Sequence, residues 1–434
     1  MASAEWRPWL QLAAFSLVLF LITAATYSSL GVVLPLMVKD QGWNWTEAGL
    51  GFTLLGALTG ASSMIPAWLI RRFGVAFTVL FGGAVMVAGF LCLWATHSLW
   101  AYWIGCGLCG VGYQSMALIP GTHVLGAVFR NRARAFGIYF TFGSLGGVAG
   151  PWMVFGVLGL FPGQWRLFWI IAAAAAALVG LVCALSVGSA RWLAQAGEDI
   201  DHEVEAAEAR PANHRIWRTH EDWTAREALA TPQFYVLLAA YFSHLLCGVT
   251  VASLSVAHLT QMGVAAAVAA GMLSFESLMQ LLGRAGAGLL GDRIDPRHLL
   301  IFALAAQVLG SLALSVAHTY PMMVLYSIGT GLGFGLTVLA VTVLLLNYYG
   351  RRHNLEIFSL TCLVGAASAL GPLIGGFIRD RLGSFAPTFQ IYAGVIFLVF
   401  VATLFMRPPH KRPAAEIAAT PADEDAPRLA RRAA

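Results

Sequence analysis

Charged residues are scarce in this chain. Only 11% of its 434 residues are Asp, Glu, Lys or Arg, whereas 59% are apolar, and the mean hydropathy is +0.74. A soluble globule of this size needs more polar surface than this composition supplies. The composition therefore excludes a water-soluble enzyme. The apolar residues suffice instead for about twelve membrane spans of about 20 residues each.

The sequence also lacks the usual marks of catalysis. Its six cysteines all lie in apolar stretches, so they give no disulfide framework. We find no cluster with metal-ligand spacing, no phosphate-binding loop and no nucleophile paired with a base. We therefore expect no enzymatic activity, no cofactor and no metal. The net charge of +5 is interpreted as a result of membrane topology and not as a nucleic-acid surface.

Charges and turn residues divide the chain into apolar windows. These windows are apolar on every face and about 20 residues or longer, which is typical of membrane helices and not of barrel strands. The sequence predicts an all-α integral membrane protein with twelve transmembrane helices, at 10–38, 47–70, 75–95, 99–128, 135–160, 166–190, 232–260, 264–290, 298–318, 321–346, 355–378 and 386–406.

Basic residues indicate the orientation. With the N-terminus inside, 21 of the 26 Lys and Arg residues fall in cytoplasmic segments, four fall outside, and Arg284 lies within a span. The positive-inside rule then places both termini in the cytoplasm. We expect a multi-pass monomer in the plasma membrane, which is the inner membrane in a bacterium, with the lipid bilayer as its surroundings.

One long polar stretch divides the windows six and six. We predict an N-terminal six-helix bundle at 1–190, a cytoplasmic linker at 191–231, a C-terminal six-helix bundle at 232–406 and a disordered cytoplasmic tail at 407–434. Within the linker, Thr224 and Glu227 have the spacing of a capping box, which predicts a short helix. Three tyrosines at span ends, Tyr320, Tyr348 and Tyr349, are expected to be membrane-interface anchors.

The two halves repeat. Gly150-Pro151 in the fifth window matches Gly371-Pro372 in the eleventh, and Gly74 after the second window matches Asp295 after the eighth at the same offset. Two parallel repeats of six helices around a site at the membrane midplane are the plan of a secondary transporter.

These residues resemble the major facilitator superfamily across all twelve windows. Gly288-Leu-Leu-Gly-Asp292-Arg293-Ile-Asp295 is similar to that family's signature turn after helix 8, and Gly376-Phe-Ile-Arg-Asp380-Arg381-Leu-Gly383 is a second copy. The first-half turn carries Arg71 where the family has aspartate. The resemblance implies a twelve-helix carrier whose cytoplasmic gate depends on Asp292 and Arg293.

Finer motifs resemble the branch that contains the monocarboxylate transporters and the oxalate:formate exchanger. They are Gly42-Trp43-Asn-Trp-Thr-Glu47, Glu227-Ala-Leu-Ala-Thr-Pro-Gln-Phe234, Val256-Ala-His258 and Gly283-Arg284-Ala-Gly-Ala-Gly288. That branch uses an arginine of helix 8 at this motif position to bind its substrate. The resemblance therefore implies that Arg284 holds a carboxylate.

Arg284 is also the principal site residue on physical grounds. A guanidinium inside a span costs several kcal/mol unless it is paired, and such residues face a polar cavity. The nearest acid on its own helix, Glu276, is about 12 Å away along the axis, which is too far for a direct pair. A substrate carboxylate would fit the arginine fork. The alternative is that Arg284 reaches the cytoplasmic face or pairs with Glu356.

Two further residues of helix 8 join this hypothesis. Gln280 lies one turn before Arg284 and is expected to bind the substrate or the arginine. Animal monocarboxylate transporters have aspartate here, and Gln280 cannot titrate. Glu276 is then the candidate proton carrier, since apolar surroundings favour an uncharged carboxyl. A purely structural Glu276 is the alternative, and His123 and His244 are interpreted as packed hydrogen-bonding residues.

The remaining candidates lie in the first half. Tyr27 in the first window, and Tyr113 with Gln114 in the fourth, are near mid-span in helices that flank the central cavity of this fold, so we assign them to the substrate site. Packing of the tyrosine rings, with each hydroxyl on a backbone carbonyl, is the alternative.

The sequence thus favours a secondary active transporter that moves a small organic monocarboxylate by alternating access, in symport with a proton. One positive charge suits one carboxylate better than a dianion. The alternatives are a multidrug or metabolite exporter of the same fold, or a non-transporting nutrient sensor that signals through the linker or tail.

Overall fold

The computed structural model describes residues 6–129, 132–187, 217, 219, 223–290, 294–350 and 353–409. Within these ranges the chain is helical with short turns and contains no β-strand. The helices are labelled α1 to α12 in the order of the predicted windows. They are α1 (Arg7–Gln41), α2 (Trp45–Ala61, then Met64–Phe73 after a 46° bend), α3 (Val75–Trp94), α4 (Leu99–Tyr113, Gln114–Leu118 and Ile119–Val128), α5 (Arg132–Leu160), α6 (Trp165–Ser186), α7 (Pro232–Gln261), α8 (Ala266–Leu290), α9 (Pro296–Ser315), α10 (Tyr320–Tyr349), α11 (Asn354–Ala366, Ala367–Leu370 and Gly371–Leu382) and α12 (Ala386–Phe405).

Most of these helices are long and apolar enough to cross a membrane. Ten of them pass by length and composition, or eleven when the bent pair in α2 counts as one span. Helix α4 fills its whole predicted window but is less apolar, because polar residues such as Gln114 and His123 interrupt it. The predicted all-helical membrane fold is confirmed, and the count of twelve is consistent with these helices.

Local sequence signals fix several helix ends. At the start of α2 the Asn44 side chain accepts from the Glu47 amide at 2.8 Å, and the Glu47 carboxylate accepts from the Asn44 amide at 3.2 Å. This is a capping box. Helices α1 and α11 end at Gly42 and Gly383, whose φ angles of 68° and 76° are in the left-handed region that favours glycine.

The repeat in the sequence corresponds to a repeat in the packing. In the first half α3 packs against α4 and α6, and in the second half α9 packs against α10 and α12. The two halves meet through α2 with α11, α5 with α8, and α1 with α7. Residues that face these three pairs are therefore the ones that a relative movement of the halves would separate.

At one end of the molecule the backbones of the two halves are in close contact. A Cβ added at Gly31 in α1 would meet the carbonyl of Ala252 in α7, and one added at Gly49 in α2 would meet the carbonyl of Pro372 in α11. Glycine is needed at these positions because the opposing backbone occupies the space of a side chain.

Asp380 at the end of α11 extends this contact. Its carboxylate accepts from the backbone amides of Trp45 and Thr46, at 3.1 and 2.8 Å, and from the Thr46 hydroxyl at 2.6 Å. A carboxylate at the N-terminus of α2 also interacts favourably with the helix dipole. We call the contacts of Gly31, Gly49 and Asp380 the outer closure, since the predicted orientation places this end outside.

The opposite end of the first half packs differently. Arg7–Thr23 of α1, Met64–Phe73 of α2 and Ile119–Val128 of α4 make their extensive described contacts with helices of their own half, whereas Ser29–Gln41 of α1 and Trp45–Ala61 of α2 pack across the interface. For α1 and α2, the extensive described contacts with the second half are thus on the side of the outer closure.

The described part of the linker packs under α10. Thr224 and Glu227 form the predicted capping box and start a short helix, Ala225–Leu229. Trp223 packs edge-on against Tyr349, and Trp217 against Tyr348. The expectation that Tyr348 and Tyr349 are interface anchors is wrong, because both are buried beneath the linker, whereas Tyr320 is exposed.

Candidate functional site

Three polar side chains form one row on α8. Glu276, Gln280 and Arg284 are four residues apart, so an α-helix places them on neighbouring turns. The helix faces α5 across the interface between the halves and α10 within its own half. The row therefore lies where a substrate between the halves would be in contact with both.

Arg284 makes its described hydrogen bond across that interface. Its Nη1 donates to the Ser144 hydroxyl in α5 at 3.0 Å, and its guanidinium lies 5.9 Å from the centre of the Phe334 ring in α10. Within the described ranges no Asp or Glu is at salt-bridge distance from Arg284. Glu356 belongs instead to a contact with His353 at the start of α11. Arg284 as a residue is half-buried, and Ser144 is the one described hydrogen-bond partner of its five N–H donors.

Glu276 is buried, with 2% of its surface exposed, and it accepts a hydrogen bond from Gln280 Nε2 at 2.8 Å. Gln280 is half-buried and lies between Glu276 and Arg284. The predicted separation of Glu276 and Arg284 agrees with this geometry, and Gln280 bonds the acid instead of the arginine.

The first half contributes a pair of tyrosines. Tyr27 and Tyr113 pack edge to face at 5.5 Å, and both are half-buried. The Tyr113 hydroxyl bonds Thr23 at 3.0 Å and the Tyr27 hydroxyl bonds Thr59 at 3.0 Å. Because Thr59 donates its own proton to the Leu55 carbonyl, Tyr27 is the donor to Thr59. The two hydroxyls thus bond threonine side chains and not the backbone carbonyls of the alternative interpretation.

Two π-helical segments hold these residues. Tyr27 lies within Ala24–Ser28 of α1, and Gln114 begins Gln114–Leu118 of α4 directly after Tyr113. Such segments insert a residue into the helix turn and are common at functional sites. Gln114 is 6% exposed, and its side-chain oxygen has no described partner. The Gln114 side-chain oxygen is therefore a buried hydrogen-bond acceptor near mid-span without a described donor.

Ser144 and Phe334 belong to the site although the sequence analysis missed them. A serine and a phenylalanine inside apolar helices are ordinary packing residues in a single sequence, and only their contacts with Arg284 distinguish them. Asp292 and Arg293, the predicted gating residues, lie outside the described residues.

Known proteins agree with this architecture. The profile of the Major Facilitator Superfamily matches residues 16–283 and 236–431. An uncharacterized MFS-type transporter of Mycobacterium tuberculosis is 24% identical over 181 residues, which are 41% of this chain and 31% of that protein. The matched region is therefore less than a third of the curated relative.

Solved transporter structures share the fold. A nucleoside transporter has a TM-score of 0.68 at 12% identity, with 91% of this chain and 99% of that chain covered. A POT family transporter in complex with 5-aminolevulinic acid has a TM-score of 0.70 at 15% identity, with 91% and 95% covered. At such identities the likeness concerns the fold alone. From the profile match, which spans most of the chain, the chain belongs to the Major Facilitator Superfamily.

Proposed function

We propose that this transporter carries a small organic monocarboxylate by alternating access, together with a proton. The observation that carries the proposal is Arg284, a charged residue within α8 that has a serine but no acid as its partner among the described residues. An isolated guanidinium in a membrane is costly unless an anion neutralises it. A carboxylate can accept two parallel N–H bonds from the fork.

The number of charges favours a monoanion. The described side chains around Arg284 are Ser144, Phe334, Gln280 and Glu276, and Arg284 is the only cation among them. Glu276 is uncharged when it carries the symported proton. The oxalate:formate exchanger, which the chain resembles, adds a lysine in helix 11, and α11 contains no lysine here. One positive charge balances one carboxylate and leaves a dianion with an uncompensated charge.

The position of Arg284 suits alternating access. Its bond to Ser144 joins α8 of the second half to α5 of the first. A ligand drives a change between two states only when it binds them with different affinity. A carboxylate that replaces Ser144 as the partner of Arg284, and that also touches the first half, would change the contacts between the halves. Its affinity would then differ between the two states of the transporter.

Glu276 and Gln280 support coupling to a proton. Glu276 is a buried carboxyl, and the Gln280 amide links it to the turn that carries Arg284. A protonated Glu276 can donate to the Gln280 carbonyl, which turns the amide and releases its NH2 group toward the substrate. Protonation of Glu276 and binding of the anion would then favour each other.

Uptake into proteoliposomes tests this proposal. With purified protein and labelled lactate, we expect accumulation of about tenfold for each unit of inward proton gradient, because a one-to-one symport carries no net charge. Protein-free liposomes measure passive entry of the undissociated acid. Uptake that equals this background for every small monocarboxylate would contradict the proposal that the protein carries such acids. Protein-dependent uptake that does not change with the proton gradient would contradict symport.

Glu276→Gln is expected to separate transport from coupling. The amide keeps the shape and a hydrogen bond to Gln280 but cannot change its protonation. We expect counterflow of labelled acid to continue, while accumulation driven by the proton gradient falls to the level of protein-free liposomes under the same gradient. Gln280→Leu tests the link directly, because it removes the amide and leaves Glu276 in place. Full gradient-driven accumulation in Glu276→Gln would show that another group carries the proton.

A further inference from the structure

Aromatic rings lie on both sides of Arg284. In the second half, Phe334 of α10 packs against the guanidinium and lies 5.2 Å from the His244 ring of α7. His244 in turn lies 5.2 Å from Tyr241, and Tyr241 lies 6.2 Å from Phe358 of α11. Three helices thus build one continuous series of rings that begins at Arg284.

The outer members of this series are partly open. Phe334, Tyr241 and Phe358 are half-buried, whereas His244 is buried behind them and has an Nδ1 contact of 3.2 Å with the Ala240 carbonyl. Phe334 is the ring with a described contact to the guanidinium, so its accessible part borders the place where we put the substrate carboxylate.

The first-half side of the site is aromatic as well. Tyr27 and Tyr113 have engaged their hydroxyls with Thr59 and Thr23. Both tyrosines are half-buried, and because their hydroxyls are engaged, the part of each side chain that can contact a ligand is mainly the ring. The segment Ala24–Ser28, which carries Tyr27, packs against α5, the helix whose Ser144 bonds Arg284, so this ring pair lies on the first-half side of the same interface.

We propose that the carried acid is an aryl carboxylate, whose carboxylate binds Arg284 and whose ring packs between Phe334 and the Tyr27–Tyr113 pair. This inference rests on the proposed function and specifies its substrate class. Aromatic rings gain from edge-to-face and offset contacts in addition to their buried area. A short aliphatic acid would leave these rings without a partner, whereas an aryl acid contacts rings of both halves.

Binding to the purified full chain tests the substrate class without interference from passive diffusion of the neutral acid. The probes are benzoate, cyclohexanecarboxylate, acetate and benzyl alcohol, compared by calorimetry and by thermal shift. We expect benzoate to bind about 2- to 10-fold more tightly than cyclohexanecarboxylate, the range that one favourable ring pair gives. Benzyl alcohol, which lacks the carboxylate, is expected to bind least.

Variants assign the preference to the rings. Phe334→Leu is expected to bring the ratio of benzoate affinity to cyclohexanecarboxylate affinity to about one, and this ratio cancels any change in carboxylate binding that the two acids share. Phe397→Leu is the matched control, because Phe397 of α12 is an exposed ring that pairs with Phe400 and is not part of the series. Tyr113→Phe keeps its ring and is expected to keep the preference.

The outcomes separate the two proposals. Equal binding of benzoate and cyclohexanecarboxylate, with Arg284-dependent binding of acetate, would overturn the aryl assignment and leave the monocarboxylate carrier standing. An aryl preference that survives Phe334→Leu would also overturn it, since the ring would then not be the cause. Binding of none of the three acids would contradict the proposed function itself.

Discussion

Replacing Arg284 with lysine is expected to lower carboxylate affinity and uptake on the order of 100-fold, and replacing it with alanine is expected to abolish both. Lysine keeps the charge but loses the planar fork that bonds two carboxylate oxygens at once. Alanine leaves the anion without any cation at mid-span, where a buried charge is not tolerated. Labelled uptake and calorimetric binding measure the two effects independently.

Ser144→Ala is the control that separates substrate binding from structure. Ser144 accepts the hydrogen bond that the structure shows for Arg284, at 3.0 Å. If Arg284 served only to join α8 to α5, Ser144→Ala would reproduce the loss in Arg284→Lys. If Arg284 binds the substrate, Ser144→Ala leaves the fork free and retains binding.

The melting temperature distinguishes a folding defect from a lost site. Arg284→Lys is expected to melt close to the unchanged protein without ligand and to lose the shift that the acid produces, because a ligand stabilises only the state that it binds. Uptake by Arg284→Ala at the level of the unchanged protein would remove Arg284 from the substrate site, and with it the proposal that the cargo is an anion.

The fold was accessible from the sequence because its signals are redundant. Apolar windows, the distribution of basic residues and the Gly150-Pro151 and Gly371-Pro372 repeat all indicate the same twelve-helix plan. Arg284 was accessible for a related reason. A single charge in a long apolar run is conspicuous, and the cost of burying it implies a partner.

The partners of Arg284 were not accessible in the same way. Ser144 and Phe334 are identified as site residues only by their tertiary contacts with Arg284, which join helices that are distant in sequence. The π-helical segments in α1 and α4 likewise have no recognisable single-sequence signal, although they carry Tyr27 and Gln114. Tyr348 and Tyr349 were misassigned because burial under the linker depends on a chain segment more than 100 residues away in sequence.

Only part of the outer closure could be predicted from the sequence. The Gly376 to Gly383 motif was recognised as a second signature turn, and the structure adds that its Asp380 bonds the start of α2 in the other half. Asp380, to which the sequence analysis gave no role of its own, thus contributes to the contact between the halves at the outer closure. Close backbone contacts at Gly31 and Gly49 complete this closure.

Gly49→Leu is expected to open the outer closure. A side chain at this position overlaps the backbone of Pro372 in α11, which cannot move aside as a flexible side chain can. Overpacking of this kind costs about 1–3 kcal/mol. Because the cost applies only to the state in which α2 and α11 touch, it shifts the population toward the outward-open state by about 5- to 150-fold.

A disulfide across the outer closure reports this shift. Thr46 and Asp380 are hydrogen-bonded partners on α2 and α11, so cysteines at both positions should crosslink in the closed state, in a background with the exposed Cys362 replaced by serine. We expect Gly49→Leu to lower the crosslinked fraction, by at most the 5- to 150-fold change in the ratio of closed to open molecules. Gly394→Leu on α12 is the matched control, because nothing lies within 4 Å of a Cβ at that glycine.

Gly49→Leu should also slow transport, since a carrier must return through the closed state in every cycle. Binding of benzoate or lactate is expected to survive, because Gly49 lies at the outer closure and not beside Arg284. This combination, reduced crosslinking with retained binding, is what distinguishes a shifted equilibrium from a misfolded protein. Unchanged crosslinking in Gly49→Leu would show that α2 and α11 separate or repack at little cost, and that the close backbone contact does not hold the outer end shut.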